Sequence, residues 1–178
     1  MCDDQSAALQ TLIAKDEIRD LVLMYSRGVD RKDVELLRTL YTSDATDTHG
    51  DSFDGAAEAY CDFLEQSFPH MKYSGHHVCN HLISVNGDEA EGEVYAIAYH
   101  LIPDSDGGVL EDLLCVRYVD NYRKEHDGRW RFAKRVVTYD YNVRRPVTDA
   151  SVRGLPATDQ DPGIVGLHYR LFNRGPRA

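Results

Sequence analysis

The hydrophobic period of this chain changes once, near residue 70, and that change restricts the fold more than any other feature. Up to that point the apolar residues recur at helical spacing. Leu9, Leu12, Ile13, Ile18, Leu21, Val22 and Tyr25 fall on one face of an amphipathic helix over residues 5–27, and Gly28 reads as its stop signal. A short second helix is expected at 33–41, with Val34, Leu37 and Leu40 on one face and Asp33 as its cap. Thr46 to Gly50 reads as a short strand. A third helix, over 55–67, carries Ala56, Tyr60, Phe63 and Leu64, with Asp54 as the cap candidate and Pro69 just beyond.

After residue 70 the pattern alternates. Tyr73 to Val85 is a β-rich run closed by the hairpin signal Asn86-Gly87-Asp88, and Glu89 to Ile102 is its partner. Glu89, Glu91 and Glu93 alternate with Ala90, Gly92 and Val94, so one face is wet and the other tightly packed. Val109 to Arg123 and Arg129 to Val143 supply two more strands, entered through turns at Asp104–Gly108 and Asp127-Gly128. Helices followed by long antiparallel strands give an α+β order, in which a curved sheet wraps over helices and leaves a concave pocket. A single domain is expected over 1–145. Residues 146–178, rich in Pro, Gly, Arg and Asp, read as an extended tail that could pack on a neighbouring subunit.

Composition removes several function classes. A net charge of −10 leaves no basic surface for nucleic acid or for an anionic membrane. Cys2, Cys61, Cys79 and Cys115 are scattered, with no CxxC pair, which points to reduced thiols in a cytoplasmic protein. The acidic start, Met1-Cys2-Asp3-Asp4, is unlike a signal peptide, and no apolar run approaches the ~18 residues of a membrane span.

Two segments carry chemistry: Tyr25-Ser26-Arg27-Gly28-Val29-Asp30 and His76-His77-Val78-Cys79-Asn80-His81. A carboxylate that reaches an imidazole orients the ring and stabilises the imidazolium formed when the ring takes a proton. The bland alternatives are a solvated turn aspartate at 30 and a surface or core histidine on the strand. Successive strand residues point to opposite faces, so only one of His76 and His77 can face a pocket unless a bulge intervenes. His77 and His81 share parity but lie ~13 Å apart at ~3.3 Å per residue, too far to bind one metal directly, so no metal site is expected. Arg135 has opposite parity to Trp130 and Phe132, which on an unbulged strand makes it a surface residue. Among the many sheet tyrosines, some are expected to line the cavity. Cys79 and Cys115 have no basic neighbour to activate them and read as small core residues.

With Tyr25-x-Arg27-x-x-Asp30, His76-His77-x-x-Asn80, the turn at Asn86-Gly87-Asp88 followed by Ala90, and Asp127-Gly128-x-Trp130-x-Phe132, residues 8–143 resemble the SnoaL-like branch of the NTF2-like superfamily. Relatives of this shape include scytalone dehydratase, hexachlorocyclohexane dehydrochlorinase and the bile-acid 7α-dehydratase. The resemblance implies a conical fold, with three N-terminal helices packed on a strongly curved, mostly antiparallel sheet. It implies a cofactor-independent lyase acting through a His–Asp dyad on a small hydrophobic or polycyclic molecule, with a homodimer or homotrimer as the assembly. By position, Asp30 and His76 match the dyad, and the family register chooses His76 over His77. Tyr25, His49 and Arg135 match substrate-binding positions. Two positions depart from the relatives: Val94 stands where scytalone dehydratase has a second pocket histidine, and Ala98 where the bile-acid enzyme has a further aspartate. A double-bond isomerase, an isomerase using a carboxylate base alone, and a non-catalytic binding or assembly module of the same fold remain alternatives.

Overall fold

The structure is a computed structural model that describes residues 2–147. Helix α1 (Cys2–Asp30) buries Ala14, Ile18, Leu21, Val22, Tyr25 and Val29 along one face. Leu9, Leu12 and Ile13, expected on that face, are exposed, so the packed stripe begins only at Ala14. Gly28 does not stop the helix. A Cβ there would sit 2.7 Å from Cδ2 of the buried Leu37, so its bare backbone lets α2 (Val34–Thr39) approach closely. The expected cap of α2 is present, as the Asp33 carboxylate accepts from the Leu36 N–H at 3.1 Å.

Strand β1 (Tyr41–His49) begins earlier than expected, and β2 (Phe53–Ala56) occupies the segment assigned to the start of the third helix. Helix α3 is therefore Ala57–Ser67, with no side-chain cap. Asp54, the cap candidate, lies in β2 and accepts instead from the Thr48 hydroxyl at 2.8 Å. A single 3₁₀ turn, Phe68–His70, leads into β3 (Tyr73–Asn86), followed by β4 (Glu89–Pro103), β5 (Val109–Lys124) and β6 (Trp130–Pro146). These form one sheet in the order β2-β1-β6-β5-β4-β3, antiparallel except between β1 and β6. The α+β architecture expected from the sequence, helices packed on a curved sheet, is the one observed. Beyond Val147, the expected tail lies outside the described residues.

The concave face packs on α1 and carries the core. Ala90, Val94, Ala96 and Ala98 of β4 are buried while Glu89, Glu91, Tyr95 and Ile97 face out, the alternation read from the sequence. Gly92 sits beneath the Tyr122 ring, which a Cβ would meet at 2.8 Å. Register shifts interrupt the ladders between Val78 and His81 on β3 and at two points along β5–β6. Each inserts a residue, bends its strand and reverses which side chains face the core. No described helix is long and apolar enough to cross a membrane.

Candidate active site

Asp30 is the last residue of α1, where a carboxylate is disfavoured by the helix dipole. It is held there by donors from the start of β3. The Ser74 hydroxyl donates to Oδ1 at 3.0 Å, His76 Nδ1 lies 2.7 Å from the same oxygen, and the His76 backbone N–H donates to Oδ2 at 2.9 Å. Burial works against the charge, but the hydrogen bonds from His76 and Ser74 hold the Asp30 carboxyl below its ordinary range.

The turn after α1 fixes this contact. Asp33 N–H reaches Gly28 O at 2.8 Å and Lys32 N–H reaches Val29 O at 3.1 Å, the paired bonds of a Schellman ending. The left-handed position goes to Lys32, at φ 57°. Its ammonium donates to the carbonyls of Phe68 and Met71 at 2.8 and 2.7 Å, fastening the end of α1 to the segment that enters β3.

His76 faces the interior and His77 is exposed, the choice made by the family register. With Nδ1 turned to Asp30, Nε2 has no hydrogen-bond partner among the described residues. The His100 ring lies 5.3 Å from that of His76, edge to face. Burial, reinforced by the nearby charge of His76, pushes His100 down to about 4, so it is neutral at pH 7.

Tyr25 and His49 are brought together on the same interior. Their hydroxyl and Nε2 are 3.4 Å apart, and the Tyr60 hydroxyl lies 3.1 Å from the first and 3.0 Å from the second. His49 Nδ1 lies 2.5 Å from Oδ1 of Asp47, which is fully buried and also accepts from the Tyr41 hydroxyl at 2.7 Å. Burial raises the Tyr25 hydroxyl well above its ordinary value, with the Asp47 charge adding to it, so it stays protonated.

A model of the SnoaL-like domain family matches residues 10–136 of this sequence. The chain belongs to the SnoaL-like family. Its fold is the conical α+β fold of the NTF2-like superfamily, as solved structures also indicate. A scytalone dehydratase-like protein from Novosphingobium aromaticivorans is 23% identical, with a TM-score of 0.68 over 86% of this chain and 98% of that one. A hexachlorocyclohexane dehydrochlorinase of LinA type 3 from Novosphingobium barchaimii is 20% identical, with a TM-score of 0.65 over 78% and 93%. The protein Kfla4162 from Kribbella flavida is 22% identical, with a TM-score of 0.65 over 72% and 92%. At these identities the likeness is one of fold. No curated protein matches the chain significantly.

Two expectations about the site of this SnoaL-like domain change with the structure, both through strand register. Arg135 is not on the surface. Phe132 pairs with Tyr122 but Lys134 with Asn121, so the extra residue, Ala133, turns Arg135 inward. It is fully buried, paired through Nε and Nη2 with Asp120 at 2.8 Å each, and its guanidinium carbon lies 4.0–4.4 Å from the ring centroids of Tyr25, Tyr118 and Phe132. His81 does not share a face with His77. The bulge before it turns His81 inward to Tyr122, 3.2 Å from its hydroxyl. Among the described residues no three potential ligands are grouped for a metal. Of the two positions that depart from the relatives, Val94 pairs with His81 and Ala98 is the cross-strand partner of His76. His100, two residues along on the same face, is the histidine beside it.

Sequence reasoning missed His100, Asp47, Tyr60 and Ser74. Two of them had a signal. His100 shares parity with the packed residues Val94, Ala96 and Ala98, and Asp47 shares parity with His49 on a strand.

Proposed function

We propose that this SnoaL-like protein is a cofactor-independent lyase that begins by abstracting a proton with His76. Asp30 holds the ring with its proton on Nδ1 and stabilises the imidazolium, and Nε2 is the base. Supporting this reading above all is one observation: His76 Nδ1 is committed to Asp30 at 2.7 Å while Nε2 is left without a partner among the described residues. His100, neutral and in ring contact with His76, would relay the abstracted proton to a departing hydroxyl, which leaves as water. Tyr25 and His49 orient the substrate. Arg135, buried against the Tyr25 ring at 4.1 Å, sets the position of that tyrosine.

Such a site suits a small hydrophobic or polycyclic molecule, because the rings of Tyr41, Tyr118 and Phe132 pack around that of Tyr25. Dehydration is the first choice of reaction, and double-bond isomerisation would use the same first step. The test is deuterium incorporation from heavy water into a panel of β-hydroxy ketones and polycyclic phenols, together with loss of water from them. Wild-type protein is expected to exchange or dehydrate at least one, and His76→Gln to lose about 10²–10⁴-fold of that rate. Turnover largely intact in His76→Gln would sink the histidine-base reading and favour a carboxylate acting alone.

Exposed Tyr95, Ile97, Val119 and Tyr141 lie on the strands of the outer sheet face, where a homodimer or homotrimer would form. Sedimentation velocity checks that assembly.

A further inference from the structure

The outer face of α1 carries an apolar stripe that nothing among the described residues covers. Leu9, Leu12, Ile13 and Leu23 are 42–63% exposed, and the exposed Asp16 and Asp20 complete the stripe. Their spacing is i, i+3, i+4, i+7, i+11 and i+14, one continuous row on a helix of ~3.6 residues per turn. This row lies opposite Ala14, Ile18, Leu21, Val22 and Tyr25, which pack on the sheet. A surface helix ordinarily turns a polar face to water. Apolar rows on both faces call for a second partner.

Charge narrows the choice of partner. Both charges on the stripe itself are negative, with Arg19 and Glu17 on opposite flanks. A two-fold contact between copies would set the same stripe against itself, aspartates included. An anionic membrane surface is repelled in the same way. The sequence beyond Val147 has the matching character. Residues 163–178 contain Arg170, Arg174 and Arg177 and no Asp or Glu. Ile164, Val165, Leu167, Tyr169, Leu171 and Phe172 crowd into nine positions of that segment.

The sheet delivers the chain to the right end of the helix. Pro146 pairs with Leu110 and Leu110 with Ile102, while the neighbouring Leu101 pairs with Tyr73. Val147 therefore leaves β6 at the end of the sheet where β3 begins. Asp30 ends α1 there, bonded to Ser74, about 14 Å away over three strand spacings. Leu23 lies about 10 Å back along the helix, and passing round the helix adds about 10 Å. The 17 residues 148–164 extend to about 56 Å, enough to cover that path within one chain. From Leu23 to Leu9 the stripe is about 21 Å long. Residues 164–172 extend to about 26 Å, which matches it.

We propose that residues 164–172 dock along the outer face of α1 of the same chain. Their apolar side chains cover Leu9, Leu12, Ile13 and Leu23, and the arginines of residues 170–177 lie beside Asp16 and Asp20. The helix that ends in Asp30 is then packed on both faces, by the sheet inside and by the segment outside. No group of the dyad takes part, so the docking stands whether or not His76 is a base.

The test uses the full chain with a photo-crosslinking residue, Leu12→p-benzoylphenylalanine, followed by irradiation, digestion and mass spectrometry. Cross-links to residues 163–178 are expected, in a band of single-chain mass on a denaturing gel. Leu23→p-benzoylphenylalanine repeats the measurement at the other end of the stripe. Arg170→Glu combined with Arg174→Glu should lower the yield by about fivefold or more, and adding Asp16→Lys with Asp20→Lys should restore it. All these positions on α1 are exposed, and far-UV circular dichroism checks that each variant keeps its helix. Cross-links to α1 of a second copy, cross-links to residues 163–178 only at twice the chain mass, none to them at all, or a yield indifferent to the charge reversals would each overturn the docking.

Discussion

His76 holds both carboxylate oxygens of Asp30, one through ring Nδ1 at 2.7 Å and the other through its backbone N–H at 2.9 Å. The aspartate thus reads the strand as well as the side chain, so its direction is set before the ring is. Asp30→Asn keeps the shape but can present an amide hydrogen to Nδ1, which favours the tautomer with Nε2 protonated and no base. Proton transfer should fall by about 10²–10⁴-fold with little loss of secondary structure. Exchange kinetics and far-UV circular dichroism check the two halves of that expectation.

Lys32 is the latch for this contact. Replacing it with Met keeps the stem and removes the charge-assisted hydrogen bonds to Phe68 and Met71. A loss of about 1–2 kcal/mol is expected in urea unfolding. Lys32→Gly removes the same bonds but relieves the left-handed backbone at φ 57°, so it should be less destabilising than Lys32→Met. The reverse order would show that relief of the left-handed backbone does not govern stability at this position.

The fold was legible because its two periods are local. Leu21, Val22 and Tyr25 mark a helix, and Glu89 to Val94 mark a strand with one wet face, whatever surrounds them. Asp30 and His76 were legible through the family pattern; the residues alone left a turn aspartate and two competing histidines. What sequence could not give is register. A bulge needs no special residue, yet one extra position on β6 carries Arg135 from the surface to the core, and one on β3 carries His81 inward. Gly28 misled for a related reason. Its missing side chain serves a contact with Leu37, which is remote in pattern although near in sequence.

His100 makes the protein acid-sensitive. Its folded value of about 4 lies below its ordinary 6.5, so in that window the unfolded chain binds a proton that the folded chain refuses. Stability is full above pH 6.5 and falls as pH drops toward 4, by on the order of 3 kcal/mol for this residue. His81, pushed down to about 4 chiefly by burial, acts in the same direction. His100→Gln should flatten the loss between pH 6.5 and 4, seen as a smaller drop in urea midpoint. An unchanged slope would mean that His100 is solvated in the folded state.

Arg135 and Asp120 form a salt bridge with neither side chain exposed. Removing one partner leaves the other charged and buried, which costs about 3–5 kcal/mol. Asp120→Asn is expected in that range, because the three rings packed on the guanidinium cannot replace a carboxylate. Arg135→Met should cost less, since Asp120 still accepts from the Tyr122 hydroxyl at 2.9 Å. The double variant should be more stable than the sum of the single losses, with a coupling energy of about 1–3 kcal/mol in a double-mutant cycle. Additive losses in the cycle would mean that the pair is held apart by water and that Arg135 supports Tyr25 by packing alone.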